Sequence, residues 1–384
     1  MKGPVGLVRS DKMGEYENLG PIYEWSEAGA YLTIDRVSFR GKTGAILCYF
    51  NPPVHQVGNP GLNAYLEGMD KVHKQKDDLD FLVIYGANDP VHAGGDLKES
   101  LNRLESTLKT KDQMASAGSS AEEIDLLFDW ADNRLKKGLS LHAIIRKIAQ
   151  HLRVVAVCGG GTRFGGSAEI PLMADYLVGD SRSGMCFSEA MIGLIPGWAG
   201  IARSLIKTGP LNAAFMAMTS IPFPFPRREK TGDPDTDKAS YLSALETHND
   251  DTGLLLLPKA LEIATCPEKA IPKMGENERL ILATKEDTSR EVARRKDPEN
   301  YSQLWGKSLR VVKDELIRIG RPLAPQSIEA LNKLLVDYDP SQFDESLFVE
   351  REMKADARLY RDPRFRAGLI ATLQQTVADY RGAE

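Results

Sequence analysis

Between residues 154 and 197, two glutamates stand beside a run of glycines, a combination suited to acid/base work on a carbonyl compound. The stretch reads Val154-Val-Ala-Val-Cys-Gly-Gly-Gly-Thr-Arg-Phe-Gly-Gly-Ser-Ala-Glu169. After Ala174-Asp175-Tyr176 it continues to Phe187-Ser-Glu189-Ala-Met-Ile-Gly-Leu-Ile-Pro-Gly197. The apolar run Val154–Val157 predicts a short buried strand. The glycines after it let the backbone turn sharply and a ligand approach closely. Gly165-Gly166-Ser167 opens a helix predicted over Ala168–Ala174, whose first N–H groups are free to receive developing negative charge. Glu169 falls just inside that helix, and Glu189 follows a second short apolar stretch. Plainer uses exist for every piece. A glutamate in the first turn of a helix complements its dipole, a glutamate near a turn is often solvated, and a glycine loop after a strand is a common turn.

The elements that must position these residues read as an α/β chain. Tyr31–Phe39 alternates and predicts a strand, as does Gly44–Phe50, with Gly41-Lys42-Thr43 as the turn and Asn51-Pro52-Pro53 as the stop. Gly61–Lys74 predicts a helix with Leu62, Tyr65, Leu66, Met69 and Val72 on one stripe. Phe81–Tyr85 is continuously apolar, as a strand covered on both faces should be. Strand, helix, strand in this order is a crossover unit. Residues 1–28 read as an irregular lead-in, 29–221 as the core, 222–251 as an inserted, proline- and charge-rich surface loop, and 252–384 as a C-terminal helical region. In that last region Leu254–Ala264, Asn277–Ala293, Tyr301–Ile319, Ser327–Val336 and Asp344–Tyr360 carry helical period. Residues 106–120 are polar and small and predict a mobile loop, followed by two amphipathic helices with a break at Gly138.

Composition narrows the class. With 384 residues, 42% hydrophobic, the chain can bury a full core. A net charge of −5 gives no basic field for nucleic acid, so any phosphate-bearing ligand needs local Lys and Arg. Cys48, Cys158, Cys186 and Cys266 are scattered without CxxC pairs, which argues against a disulfide framework or a zinc site and suits a reducing cytosol. No apolar run is long enough to cross a membrane and no secretory leader is evident, so a cytoplasmic protein is expected.

Two separated blocks resemble the crotonase (enoyl-CoA hydratase/isomerase) superfamily. The first is Phe81-Leu-Val-Ile-Tyr-Gly-Ala-Asn-Asp-Pro-Val-His-Ala93-Gly94-Gly95-Asp96-Leu97-Lys98-Glu99, which looks like the family's strand and "aGxDl" oxyanion loop. The second, residues 154–203, is similar to its "GG…E", "AD" and "F..E…G..P" pattern with a closing Arg203. The resemblance implies a spiral of ββα units followed by a C-terminal helical region, and assembly as a trimer or dimer of trimers. It implies an acyl-CoA substrate, with coenzyme A entering as part of that substrate and no other cofactor. The backbone N–H groups of Ala93 and Gly166 would form the oxyanion hole. Glu169 would activate water and Glu189 would protonate Cα. Gly94, Gly95, Asp96, Leu97, Gly165, Gly197 and Trp198 would contact substrate. Asp96 would also cap the helix starting at Leu97, and Lys98 would meet a coenzyme A phosphate. Trp198 serves equally well as an acyl-pocket wall or as core. His92 reads as a hydrogen-bonding surface residue of the loop, and Asp175 and Arg203 as structural.

The resemblance therefore points to water addition to a 2-enoyl-CoA. The chain's length and helical tail resemble the hydrolase branches, so thioester hydrolysis or opening of a cyclic β-oxoacyl-CoA is the alternative. A scaffold without activity is the non-enzymatic rival, which the paired glutamates disfavour. Two stretches depart from the short hydratases. The stretch 97–153 predicts a hinged lid over a pocket larger than one for crotonyl-CoA, or a helix pair that packs on a neighbouring subunit. The other, 222–251, should lie outside the chemistry.

Overall fold

The computed structural model describes residues 16–86, 91–180, 182–224, 245–248, 256–265, 283–336 and 338–381. Three strands, β1 (Glu17–Glu27), β2 (Ala30–Phe39) and β3 (Lys42–Phe50), form an antiparallel meander. Helix α1 (Asn59–Lys74) then crosses to β4 (Phe81–Gly86), which lies parallel to β3. The chain continues through β5 (Val91–His92), α2 (Leu97–Ser116), α3 (Ala121–Asp125) and α4 (Asp129–Ile148) to β6 (Arg153–Val157). Next come β7 (Thr162–Phe164), α5 (Gly166–Leu172), β8 (Tyr176–Asp180), β9 (Gly184–Cys186), α6 (Gly200–Thr208) and α7 (Pro210–Thr219). Two late strands, β10 (Phe223–Pro224) and β11 (Leu245–His248), close the sheets. The large sheet has the order β1-β2-β3-β4-β6-β8-β11 and the small one β10-β9-β7-β5.

From β4 onward the chain alternates between the two sheets. Each pair of strands, β4/β5, β6/β7 and β8/β9, ends by feeding a helix, so every turn of the spiral is a ββα unit. Strand period explains why the large sheet needs covering on both faces. Leu82, Ile84, Val154 and Ala156 point into one cluster with α1 and α4. Their neighbours Phe81, Val83, Val155 and Val157 point into a second, against Leu256, Leu257 and Leu261 of α8 (Leu256–Thr265). The remaining helices are α9 (Lys285–Lys296), α10 (Lys313–Ile319), α11 (Pro325–Val336), α12 (Glu345–Leu359) and α13 (Pro363–Leu373). Among the described residues, no helix is long and apolar enough to cross a membrane.

Several sequence expectations need correction. Residues 17–27 are not irregular: they form β1, an edge strand whose half-exposed faces and register shifts near Gly20 and Pro21 blur its alternation. Residues 106–116 are not a loop but the second half of α2. That helix is capped by Asp96 and buries only Ser100, Leu104 and Thr107, so its sequence is polar on most sides. Gly138 does not break a helix. It lies inside α4, where the absent side chain makes room for the indole of Trp198. Tyr301–Ile319 is helical only from Lys313, and α13 extends the helical region past Tyr360. The inserted stretch is described only at 222–224 and 245–248, which carry β10 and β11, so the surface-loop reading of 225–244 lies outside the described residues.

Gly138 sets two magnitudes against each other. Alanine would gain roughly 1 kcal/mol of helix propensity over glycine. Its methyl group would, however, occupy the space of the Trp198 ring, and overpacking a closed core costs roughly 1–3 kcal/mol and sometimes more. Gly138→Ala is expected to lower stability by about 1–2 kcal/mol in urea denaturation. A net gain in stability would show that Trp198 is not held in place.

Candidate active site

The glutamates converge because β7 and β9 run side by side in the small sheet and each delivers one of them. Glu169 lies in the first full turn of α5 and is 3% exposed. Its Oε1 accepts hydrogen bonds from the backbone N–H groups of Trp198 (2.8 Å) and Gly200 (3.1 Å). Glu189 begins the 3₁₀ turn Glu189–Met191 after β9 and is also buried. Its Oε2 has no hydrogen-bond partner among the described residues. Gly165, which enters α5 at φ +52°, lets the chain turn beside Glu189, since a Cβ there would come within 2.7 Å of Glu189 Oε1.

Both glutamates line one chamber of about 70 Å³, together with Gly95, Gly166, Gly197, Trp198 and Asp356. The chamber adjoins an outer cleft of about 460 Å³. Gly95, Leu97, Glu189 and Ile192 line both spaces, so Glu189 stands at the mouth between them. Ala93, Gly94, Asp96, Lys98 and Gly165 line the cleft, as does Arg321, so its cationic side chains are Lys98 and Arg321. A larger cavity of about 910 Å³ lies on the far side of Arg134 and touches neither glutamate.

Of the sequence-nominated residues, Ala93 requires correction. Its N–H donates to the Val54 carbonyl at 2.7 Å, and its own carbonyl accepts from the Ser167 hydroxyl. Both polar groups are thus engaged in holding the loop, and Ala93 lines the cleft rather than the chamber. Gly95, two residues on, lines the chamber with Gly166. Asp96 caps α2 by accepting from the Glu99 N–H at 2.9 Å. Trp198 is both pocket wall and core, being 4% exposed and packed on Gly138 and Gly166. His92 is not a surface residue: it is buried and stacks on His55 at 4.8 Å between ring centroids. Asp175 and Arg203 tie backbone together, through Val154 N (3.1 Å) and Leu172 O (2.9 Å) respectively.

Three charged residues escaped the sequence reading. Glu352 and Asp356 project from α12, one turn apart, and are almost fully buried. Glu352 accepts from the N–H groups of Ile201 (3.4 Å) and Ala202 (3.1 Å) at the start of α6. Asp356 Oδ1 accepts from Ile195 N–H at 2.9 Å, and its Oδ2 faces Gly197, where a Cβ would approach within 2.7 Å. Arg134 of α4 reaches the chamber from the other side. It donates to the Val57 carbonyl at 3.1 Å and lies 5.2 Å over the Trp198 ring. In the sequence, the i,i+4 spacing of Glu352 and Asp356 beside the apolar Phe348 and Val349 marks them as facing the same way as core residues, a signal visible only in retrospect.

Burial governs the electrostatics. Desolvation pushes the Glu169 carboxyl up to about 7, although the Trp198 and Gly200 N–H groups and the Arg134 charge oppose it. Glu189 is raised well above the ordinary range, first by desolvation and then by the Glu169 charge. Glu352 and Asp356 are raised for the same leading reason. The pair is therefore asymmetric. Glu169 has donors that favour its anion, whereas Glu189 has an unpartnered oxygen and a neighbouring negative charge that favour its acid form.

The upward shift of Glu169 has a sign in stability. A group that binds its proton more tightly in the folded state stabilises below its unfolded value, here 4.5, and loses that contribution as pH rises towards 7. The stability of the wild type minus that of Glu169→Gln should fall steadily between those pH values, read by urea denaturation at each pH. A difference that stays flat would contradict a desolvated Glu169.

No family model matches the chain, and no curated protein matches it either. Solved structures do. An enoyl-CoA hydratase from Rhodobacter sphaeroides 2.4.1 is 15% identical, with 86% of each chain covered and a TM-score of 0.51. An enoyl-CoA hydratase from Mycobacterium avium subsp. paratuberculosis K-10 is 14% identical, with 90% of this chain and 97% of that one covered and a TM-score of 0.49. The first of these likenesses, together with the ββα spiral traced above, assigns the architecture: the chain has the crotonase fold.

Proposed function

We propose that this protein adds water across the 2,3 double bond of an enoyl-CoA. The observation that carries the reading is the shared chamber: two buried carboxyl groups line one small space, Glu169 held by two N–H donors and Glu189 with an unpartnered oxygen. In the proposed reaction the Glu169 carboxylate takes a proton from water, whose oxygen bonds to Cβ. The π electrons move towards the thioester oxygen, which becomes enolate-like. Glu189, holding its proton, delivers it to Cα, and proton exchange with solvent restores both groups. The N–H groups of Gly166 and Gly95 would receive the developing oxyanion, in place of the Ala93 donor. Gly166 begins α5, where no acceptor within the helix is available to its N–H. Lys98 and Arg321 in the cleft suit the phosphates of coenzyme A, which enters only as part of the substrate. Assembly into a trimer or dimer of trimers accompanies this reading.

Glu169→Gln and Glu189→Gln are each expected to lower kcat by about 10²–10⁴-fold, the usual worth of a positioned acid or base, with little change in KM. The assay is conversion of crotonyl-CoA and of branched and alicyclic 2-enoyl-CoA esters, followed by mass spectrometry and a free-thiol reagent. A mass gain of one water with the thioester and acyl skeleton intact is the expected outcome. Release of free coenzyme A would assign thioester hydrolysis instead. Water gain with a cyclic substrate opened would assign ring cleavage, and unaltered rates in both variants would remove the glutamates from the chemistry.

A further inference from the structure

The hydration reading employs two carboxyl groups, yet three face the chamber. Asp356 is 2% exposed and lines the chamber but not the outer cleft, so it lies beyond Glu189 as seen from the mouth. It is fixed in place, because Oδ1 is anchored on the Ile195 N–H at 2.9 Å. Its Oδ2 borders the Gly197 Cα, at a point where any side chain on residue 197 would collide with it. The space between these groups is therefore kept open by a glycine on one side and bounded by a carboxyl group on the other. The chamber also contains the buried Glu189 Oε2, which no described residue satisfies. A buried polar oxygen without a partner costs roughly 1–3 kcal/mol, so a pocket that carries this one favours a ligand able to pair with it.

Resting on the hydration reading, we infer that Asp356 is a substrate-contacting, specificity-determining residue and that the acyl group carries an oxygen function, hydroxyl or carbonyl, beyond Cβ. The geometry follows from the order of groups. The thioester lies at the mouth near Gly95 and Gly166, Cα and Cβ lie between Glu189 and Glu169, and the atoms after Cβ extend towards Asp356. Desolvation raises the Asp356 carboxyl and so favours its acid form, which can donate to an acceptor oxygen, while its oxygens can accept from a hydroxyl. A purely aliphatic acyl group would leave Asp356 facing methylene groups, the situation that sites built for a polar group reject most strongly.

The test is calorimetric binding of butanoyl-CoA and 4-hydroxybutanoyl-CoA, saturated esters that cannot be hydrated, to the full chain. The wild type is expected to bind the hydroxylated ester at least tenfold more tightly. Asp356→Leu should bring that ratio to within about twofold of unity, while Asp356→Asn, which retains an acceptor for Ile195 N–H, should keep most of it. Equal affinities in the wild type would overturn the proposal, as would an unchanged ratio in a folded Asp356→Leu. The wild-type ratio stands whether or not the leucine variant folds. Because binding is read without turnover, a tenfold ratio in a protein that fails to hydrate any enoyl-CoA would reject the reaction and keep the oxygenated acyl class. Hydration of crotonyl-CoA with a ratio of one would do the reverse.

Discussion

Four carboxyl side chains, Glu169, Glu189, Glu352 and Asp356, share one desolvated region, and the rest of the site is arranged around that constraint. Burying an ionised group costs several kcal/mol unless hydrogen bonds or opposite charge offset it. The chain meets the demand with one short stretch of backbone. Ile195 donates to Asp356, Trp198 and Gly200 donate to Glu169, and Ile201 and Ala202 donate to Glu352. Ala199 adopts a left-handed φ of 71° within this stretch, as it bends from the loop into α6. A non-glycine residue in that region is sparsely populated and costs on the order of 1–3 kcal/mol, which the surrounding contacts must offset. Glu189 is the exception, because the donors of residues 195–202 go to the other three. The difference between the two glutamates is thus built into which carboxyls this stretch reaches.

The same arrangement ties the C-terminal region to the spiral. Glu352 and Asp356 come from α12, about 150 residues away in sequence from their backbone donors. Removing α12 would take away the two carboxyls that accept from Ile195, Ile201 and Ala202, leaving buried N–H groups unpaired. Arg134 of α4 completes the enclosure as a nearby cation that favours the Glu169 anion. The site is therefore made by the spiral, by the helices inserted after β5 and by the C-terminal helices together.

How much of this was legible depended on the range of the signal. Strands β4 and β6 of the large sheet were readable because Phe81–Tyr85 and Val154–Val157 are apolar on both faces, and a short continuous run leaves few alternatives. Glu169 and Gly166 stood out through a local glycine and helix-start pattern, and Glu189 through its family-like block after the second apolar stretch. Ala93 was misread as a chamber donor because a loop motif gives composition but not which N–H is already engaged by Val54. β1 was missed because an edge strand carries no buried periodicity. The second half of α2 was missed because a helix that buries so few residues reads as polar linker. Gly138 was misread since glycine signals a break only where nothing requires its missing side chain. Asp356 and Glu352 were invisible for a different reason: a buried acid looks like a surface acid until its distant donors are known.

The stretch 97–153, expected as a hinged lid or as a packing helix pair, reaches the chamber through α4. The polar residues 106–116 are helix, and Leu135 of α4 is buried and lines the chamber itself. What limits the chamber is Trp198, whose ring fills the space left by Gly138 on one side, packs on Gly166 on another and lies beneath Arg134 on a third. The backbone N–H of that same residue holds Glu169. The size of the chamber and the position of the Glu169 carboxyl are therefore set by one residue through its side chain and its main chain. Moving the ring to enlarge the chamber strains the peptide that orients the carboxyl, so chamber volume and carboxyl position are coupled here.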